Sequence, residues 1–216
     1  RLGTTDGLIN YVTLEQAMKS YDLENHDQIP IPLGVGEGKQ IHWLKLAEHP
    51  HMLIGGSTGG GKSNITNIIM CSAIQKHSPE RIRFVLVDLK DGLEYRAFEN
   101  IPHLLCPVVT ELDAAAKTLA QLETLRRERS QDMARRGVKD IDEYNRLDGV
   151  TPMPRIVVFF DEYAAIQTDR ELADTIQRIV MQIINKGRAA GIHLIISTQN
   201  PSVDIIPGVS KNNITA

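Results

Sequence analysis

The sequence contains Gly56-Ser57-Thr58-Gly59-Gly60-Gly61-Lys62-Ser63, which fits the phosphate-binding loop pattern G-x-x-x-x-G-K-[ST] at every fixed position. An apolar run at 52–54 precedes it, and apolar residues at helical spacing follow it between 65 and 73. In such a strand–loop–helix unit, glycines let successive backbone N–H groups turn inward, and the helix adds the positive end of its dipole. The pattern predicts a triphosphate site in which Lys62 reaches the β- and γ-phosphates and Ser63 binds a magnesium ion.

The composition predicts one soluble domain with attachments. The chain has 216 residues, 42% of them hydrophobic, and a net charge of -3, so any contact with nucleic acid must be local. Cys71 and Cys106 are too few for a disulfide framework and favour buried thiols in a reducing compartment. No apolar run approaches the roughly twenty residues of a bilayer span, and no signal peptide opens the chain. We therefore expect a cytoplasmic fragment without membrane contact of its own, although a longer parent protein with a membrane anchor stays open.

The first part of the chain is mostly polar. Residues 1–28 are interpreted as a linker or the end of an upstream domain, with one weak helical pattern at Leu14, Ala17, Met18 and Tyr21. Residues 29–216 are expected to form the main domain, truncated at its C-terminal end before the final strands. Prolines, glycines and an alternating apolar stretch predict a small β-hairpin at 29–46.

The rest of the chain alternates between strand and helix patterns. Strands are predicted at 83–87, 106–109, 156–160 and 193–196, and helices at 112–136, at 140–147 and from 172 to near Gly191. This alternation predicts an α/β fold with a mostly parallel sheet and helices on both of its faces, preceded by the hairpin.

Polar groups follow four of the predicted strands: the phosphate loop, Asp88, the pair Asp161-Glu162, and Gln199. Ligands of open parallel sheets bind at the carboxyl ends of the strands. We expect Asp161 to act on the magnesium side, opposite Ser63. Glu162 is expected to polarise a water molecule toward the γ-phosphate, the alternative being an exposed acid at a helix start. Gln199 is a candidate to bind the γ-phosphate or the attacking water, unless it is simply solvated.

The base of the nucleotide is predicted by exclusion. The nearest match to the guanine-reading pattern Asn-Lys-x-Asp is Asn185-Lys186-Gly187-Arg188, which lacks the acid. Adenine is therefore favoured, and the predicted ligands are ATP and Mg²⁺.

From about residue 33 to the end, the chain resembles the motor domain of the FtsK/SpoIIIE family of DNA-pumping ATPases. The likeness is carried by 50–56 running into the phosphate loop, 101–105, Val157-Val158-Phe159-Phe160-Asp161-Glu162, and 188–194 through 198–204. The resemblance implies a RecA-like P-loop NTPase core that assembles into a ring, usually hexameric. Such a ring threads double-stranded DNA through its hole as ATP is hydrolysed at subunit boundaries.

The resemblance also implies roles for single residues. It assigns the metal to Ser63 and Asp161, water activation to Glu162, and phosphate sensing to Gln199. The nucleotide-binding residues expected from the loop and from the resemblance are Gly56, Ser57, Thr58, Gly59, Gly60, Gly61, Lys62, Ser63 and Asn64. Asp88-Leu89-Lys90 stands where the family commonly has Asp-Pro-Lys, and its role is left open.

An arginine from the neighbouring subunit is expected to complete the site. Arg129 aligns best with the family's paired arginines, although Glu128 interrupts that pair, and Arg188 is the competing candidate. Each has a plainer explanation, because Arg188 is predicted in the last turn of a helix and Arg129 on a solvated helix face. The basic cluster around Arg129 could likewise serve the interface, DNA or solvent only. It consists of Arg126, Arg127, Arg129, Arg135, Arg136 and Lys139.

The expected function is that of an ATP-dependent double-stranded DNA translocase motor, in chromosome segregation or in conjugative or plasmid transfer. One alternative is a type VII-like secretion ATPase, whose motor domains share the architecture but move polypeptide. Another alternative is a nucleotide-binding module that no longer hydrolyses ATP. The presence of Lys62, Asp161 and Glu162 argues against it. No DNA-reading winged-helix segment follows, so sequence-directed loading is not assigned.

Overall fold

The structure is a computed structural model and describes residues 12–21, 29–36, 40–90 and 92–199. Its strands are β1 (Pro30–Val35), β2 (Ile41–Lys45), β3 (His51–Gly55), β4 (Ile82–Asp88), β5 (Arg155–Asp161) and β6 (Ile192–Thr198). Its α-helices are α1 (Leu14–Lys19), α2 (Lys62–Lys76), α3 (Leu112–Arg135), α4 (Ile141–Asn145) and α5 (Arg170–Lys186). Short 3₁₀ helices lie at Arg96–Phe98 and Tyr163–Thr168.

The main sheet has the strand order β3-β6-β5-β4, and all of its neighbouring strands are parallel. Alternate residues of each central strand face opposite layers, as the period of a strand requires. Val158 and Phe160 of β5 pack toward α3 and α5, whereas Val157 and Phe159 pack toward α2 and the hairpin. The predicted α/β fold, with a parallel sheet covered on both faces, is confirmed.

The predicted hairpin at 29–46 is confirmed as the antiparallel pair β1–β2, with an irregularity in register between Pro32 and Gly34. Ile31 and Leu44 are buried in the core layer that contains α2. The weak pattern near residue 14 forms α1, which contacts α2 and β1 and buries Ala17 and Met18. The interpretation of 1–28 as a linker stays a prediction, because 1–11 and 22–28 lie outside the described residues.

The strand predicted at 106–109 is wrong. This part of the chain runs beside β4 but makes only isolated bridges, between Leu104 and Phe84 and between Val109 and Val87. Pro107 has no amide hydrogen, so it cannot donate to a continuous ladder. An apolar run next to a central strand therefore follows that strand here through bends and isolated bridges and does not form a regular strand.

The predicted helix at 112–136 is confirmed as α3, and Gly137 follows it in the left-handed region with φ 72°. The helix predicted at 140–147 is the shorter α4, which Asp140 caps by accepting hydrogen bonds from the amides of Asp142 and Glu143. α5 ends at Lys186, whereas the sequence pattern placed its end near Gly191. A turn at 187–190 separates α5 from β6, and the left-handed Gly191, with φ 69°, begins the return to the sheet.

Within the described residues, none of the helices combines the length and apolar character needed to cross a bilayer.

Candidate nucleotide-binding site

The phosphate loop connects the end of β3 at Gly55 to the start of α2 at Lys62. Two of its glycines have left-handed backbones, with φ 77° at Gly59 and 89° at Gly61. A Cβ at Gly60 would lie 3.0 Å from the carbonyl oxygen of Ser57, which already accepts a hydrogen bond from the Gly60 amide. These positions therefore need glycine for conformation and for space.

The N-terminus of α2 has no side-chain cap, because its N-cap residue is Gly61. Helices leave their first amide groups without intrahelical partners, and those groups together with the helix dipole favour an anion. α2 is 15 residues long, so this is the end of a regular helix. The loop and the helix together provide the phosphate-binding geometry that the sequence pattern predicts.

The ammonium group of Lys62 lies over the start of the loop. Its Nζ donates to the carbonyl oxygens of Gly56, at 2.8 Å, and Ser57, at 3.3 Å. Ser63 and Asn64 follow in the first turn of α2, and both are exposed. The one charged side chain of the loop pattern is thus already directed back over the loop.

Asp161 and Asp88 stand opposite each other where β5 and β4 end. Asp161 accepts a hydrogen bond from the hydroxyl of Ser197 on β6. Asp88 is fully buried. Its two carboxylate oxygens accept hydrogen bonds from the backbone amides of Lys90, at 3.0 Å, and Glu94, at 2.9 Å. Asp88 therefore holds a turn of the backbone, whereas Asp161 keeps a partly exposed carboxylate at the edge of the site.

Tyr95 is buried, and its ring contacts that of Phe159 on β5. Burial, and then the charges of Asp161, Glu94 and Asp88, hold the pKa of the Tyr95 phenol well above its usual value. The phenol therefore stays neutral beside the carboxylates and supplies no additional charge to the site.

Glu162 has an unusual backbone. Its φ of 46° and ψ of 61° put it in the left-handed region, and it is the one residue other than glycine with positive φ in the described part of the chain. Such a conformation costs of order 1–3 kcal/mol and persists where its surroundings enforce it. The residue is only 7% exposed and is followed by the 3₁₀ helix at Tyr163–Thr168. The alternative of an exposed acid at a helix start does not fit this burial.

The carboxylate of Glu162 is held from two sides. On the β6 side, Oε1 accepts the hydroxyl of Thr198 at 3.3 Å and the backbone amide of Gln199 at 3.2 Å. On the β4 side, Oε2 pairs with Nζ of Lys90 at 3.1 Å. Burial alone would raise the pKa of Glu162, but the hydrogen bonds from Lys90, Gln199 and Thr198 leave it below its usual value. The group is thus a carboxylate anion at neutral pH.

Gln199 connects this carboxylate to the phosphate loop. Its side-chain Oε1 accepts a hydrogen bond from the hydroxyl of Thr58 at 3.3 Å, while its backbone amide donates to Glu162. The amide of Gly56 also donates to the carbonyl of Thr198, at 3.2 Å. The structure therefore brings the loop, Glu162 and Gln199 into one hydrogen-bonded network, with Asp161 adjacent in the chain.

Both candidate arginines lie near the amino end of β6, whereas the phosphate loop and Glu162 lie at the carboxyl ends of the strands. Arg129 is 5% exposed, donates to the carbonyl of Ala190 at 2.8 Å, and has its pKa lowered by burial to about 10. Arg188 is exposed in the turn between α5 and β6. A buried guanidinium that holds the backbone of its own chain is poorly placed to reach a neighbouring subunit.

Much of the basic cluster around Arg129 is neutralised within the chain. Arg126 and Arg127 both pair with Glu123, at 2.7 and 2.9 Å. Arg135 and Arg136 lie near Asp132, and Lys139 pairs with Glu143. This pattern favours a helix face with local ion pairs over a free cationic patch for DNA.

Two residues of the network, Lys90 and Thr198, were not predicted as site residues. Lys90 belongs to Asp88-Leu89-Lys90, which follows a predicted strand, but no pattern connects it to Glu162. Thr198 is the last residue of β6 and directly precedes Gln199. Its place at a strand end beside a predicted site residue was the available signal.

The glycine-rich loop between β3 and α2, with acidic and amide groups at the ends of neighbouring parallel strands, defines a P-loop nucleotide-binding protein with a RecA-like core. A model of the FtsK/SpoIIIE family matches residues 13–153. The chain belongs to the FtsK/SpoIIIE family.

Curated relatives support this assignment. The DNA translocase FtsK of Mycobacterium tuberculosis (strain CDC 1551 / Oshkosh) is 38% identical over 202 residues, which cover 85% of this chain and 24% of the relative. The DNA translocase FtsK of Pseudomonas aeruginosa is 34% identical over 229 residues, covering 94% of this chain and 28% of the relative. The chain thus spans about a quarter of the length of these relatives.

Solved structures show the same fold. The pCW3 conjugation coupling protein TcpA, in a monomer form with ATPγS, superposes with a TM-score of 0.72 and 29% identity, covering 88% of this chain and 53% of that one. The cytoplasmic domain of the Thermomonospora curvata type VII secretion ATPase EccC gives a TM-score of 0.73 at 22% identity, covering 88% and 23%. At that identity, the second likeness shows the fold alone.

Proposed function

We propose that this chain is the ATP-hydrolysing part of a motor that translocates double-stranded DNA. The observation that carries the proposal is the buried carboxylate of Glu162, which Gln199 joins to Thr58 of the phosphate loop. A loop that only binds phosphates does not need an ionised carboxylate held at its side. The names of the FtsK relatives supply the DNA part of the proposal.

The residues present fit Mg²⁺ bound together with ATP. Ser63 and Asp161 offer a hydroxyl and a carboxylate, the oxygen ligands that Mg²⁺ prefers, and no cluster of three potential metal-binding side chains occurs among the described residues. This suits an ion that takes its remaining ligands from phosphates and water. When bound, the ion neutralises charge on the transferred phosphoryl group.

In this proposal the chain's own groups share the work of hydrolysis. The amides of residues 58–63 and the ammonium of Lys62 hold the phosphates, and residues 56, 57 and 64 flank them. Glu162 accepts a proton from the attacking water. The oxygen of this water bonds to the γ-phosphorus as the bond between that phosphorus and the ADP oxygen breaks. Gln199 contacts the γ-phosphate or this water and reports its state to the loop through Thr58.

The site is completed in a ring of identical subunits, which the family resemblance makes hexameric. Because Arg129 is buried, we assign the arginine that reaches the neighbour's nucleotide to Arg188, which is exposed. Residues 29–216 form the motor unit of this chain, which acts in the cytoplasm. Contacts to DNA phosphates then move the duplex without reading its sequence.

The experiment compares ATP hydrolysis by the full-length protein with and without duplex DNA, at low and high salt, for the wild type and Lys62→Ala. Duplex DNA is expected to raise hydrolysis several-fold, and higher salt to weaken this stimulation, since phosphate contacts release counterions. Lys62→Ala is expected to abolish both the basal and the DNA-stimulated ATP hydrolysis. A ring-forming protein that hydrolyses ATP without any response to duplex DNA would contradict the DNA role and favour polypeptide translocation.

A further inference from the structure

The segment after β4 places a cation against the carboxylate of Glu162. Nζ of Lys90 lies 3.1 Å from Oε2 of Glu162. The Lys90 side chain is 48% exposed, whereas that of Glu162 is only 9% exposed. The lysine thus reaches from the rim of the site to a carboxylate that is largely removed from water.

The position of Lys90 is fixed by Asp88. The buried carboxylate of Asp88 accepts the amides of Lys90 and Glu94, so it closes the chain that follows β4 into a turn. The register of the sheet then places this turn beside the end of β5, because Asp88 pairs with Asp161. The residue after Asp161 is Glu162, and the turn therefore delivers the lysine to the adjoining strand end.

Glu162 needs such a partner on this side. A buried carboxylate is unfavourable unless charges and hydrogen bonds compensate it. Thr198 and Gln199 of the β6 side both donate to Oε1, and Lys90 is the donor found at Oε2 among the described residues. Without the lysine, one oxygen of the carboxylate loses its partner, and the side chain is held from one side only. The left-handed backbone of Glu162 is also unfavourable and persists only where the surrounding contacts enforce it.

We infer that Lys90 is a positioning residue for ATP hydrolysis, which holds the carboxylate of Glu162 in the place where it meets the attacking water. The inference rests on the proposed role of Glu162. It gives Asp88-Leu89-Lys90 a shared function, in which the aspartate forms the turn and the lysine fixes the carboxylate. Lys62 remains the lysine that holds the phosphates.

The test uses Lys90→Met, Lys90→Arg, Glu162→Gln and the double variant Lys90→Met/Glu162→Gln in the full-length protein. Displacement of a catalytic group by about 1 Å can cost about a hundredfold in rate, so Lys90→Met is expected to lower kcat by about 10- to 100-fold. KM for ATP and the affinity for ATPγS stay within about twofold. Lys90→Arg keeps the cation and recovers most of the rate.

The double variant separates a positioning role from an unrelated one. If Lys90 acts through Glu162, then Lys90→Met lowers kcat no further once Glu162 is glutamine. The matched control is Lys117→Met, which removes an exposed ion pair with Asp113 on α3 and leaves kcat unchanged. Thermal unfolding checks that each variant is folded.

Two results would overturn the inference: an unchanged kcat for Lys90→Met, or a full additional loss in the double variant. An unchanged kcat together with a loss of ATPγS affinity would make Lys90 a phosphate ligand. Failure of the proposed function looks different, because Glu162→Gln itself would then hydrolyse ATP at the wild-type rate. A slow Glu162→Gln together with a normal Lys90→Met overturns the role of Lys90 alone.

Discussion

The backbone amide of Gln199 donates a hydrogen bond to the carboxylate of Glu162, with 3.2 Å between nitrogen and oxygen. The side chain of the same glutamine accepts from Thr58 in the phosphate loop. The end of β6 therefore lies between the phosphate loop and the carboxylate of Glu162. In the proposed mechanism, a change at the γ-phosphate therefore reaches both the loop and the carboxylate through Gln199.

Replacing Gln199 by alanine removes the bond to Thr58 but keeps the backbone amide that holds Glu162. We expect Gln199→Ala to lower kcat for ATP hydrolysis about tenfold, with a smaller effect on ATPγS affinity, because the proposed mechanism has the glutamine act on the γ-phosphate or the water. Steady-state hydrolysis and equilibrium binding measure the two effects. Gln121→Ala, at an exposed position of α3, is the control and should match the wild type. A Gln199→Ala variant with normal kcat would assign the side chain to solvent.

Alanine substitutions at two glycines with similar backbone conformations distinguish an effect on nucleotide binding from an effect on stability. Gly61 and Gly149 have φ of 89° and 73°, and a Cβ at either would meet no atom within 4 Å. Alanine at either position should therefore cost about 1–2 kcal/mol of stability from the left-handed backbone. Only Gly61→Ala should also weaken ATPγS binding, since it alone lies in the phosphate loop. Urea unfolding and nucleotide titration check this, and equal nucleotide affinities of the two variants would contradict it.

Much of this site could be predicted from the sequence because its parts are local. The residues of the phosphate loop follow one another in the chain, and the acidic pair follows an apolar strand at once. Parallel strands carry their carboxyl ends to one edge, so Asp161 and Gln199 could be placed together before any coordinates. The fold followed from the same alternation of strands and helices.

The rest depended on contacts that no short pattern encodes. The turn of Asp88 brings Lys90 to Glu162, which is 72 residues away in the chain. Arg129 stands in a basic run that is typical of a solvated helix face, yet the packing of α3 buries it against Ala190. The prediction of a strand at 106–109 was wrong because it rested on apolar content alone. Pro107 cannot donate the backbone hydrogen bond that a continuous ladder needs.

Arg188 should matter for hydrolysis but not for folding, because its exposed side chain is assigned to the neighbouring subunit. Arg188→Ala is expected to keep the wild-type melting temperature and to lose most DNA-stimulated hydrolysis. Arg178→Ala, at an exposed position of α5, is the control. In mixed rings, Arg188→Ala subunits combined with Lys62→Ala subunits should regain part of the activity, since some interfaces then carry both residues. Absence of any recovery would argue against a shared site.

The stability of the fold should fall in mild acid because of buried histidines at the amino end of the sheet. Burial lowers the pKa of His51 to about 4, and burial, Arg155 and His51 also hold the pKa of His193 well below its usual value. In the unfolded chain these two histidines bind protons near pH 6.5, whereas in the folded chain they stay neutral there, so stability is lost as pH falls from about 6.5 toward 4.

For His51 alone, this loss between pH 7 and pH 5 amounts to about 2 kcal/mol. Urea unfolding at the two pH values measures it. His51→Asn keeps an acceptor near the amide of Leu194, to which His51 Nδ1 now bonds at 3.1 Å, and should show a smaller acid loss. His42→Asn, at an exposed position, should behave like the wild type. Equal pH dependence of all three proteins would contradict the burial argument.

The most direct measurement is the rate of ATP hydrolysis by Glu162→Gln in the presence of duplex DNA, with ATPγS binding measured on the same protein. If Glu162 activates the attacking water, binding stays within about twofold of the wild type and kcat falls by at least about a hundredfold. A variant that binds and hydrolyses ATP as the wild type does would show that this carboxylate is not the catalytic base, and the proposed mechanism would be wrong.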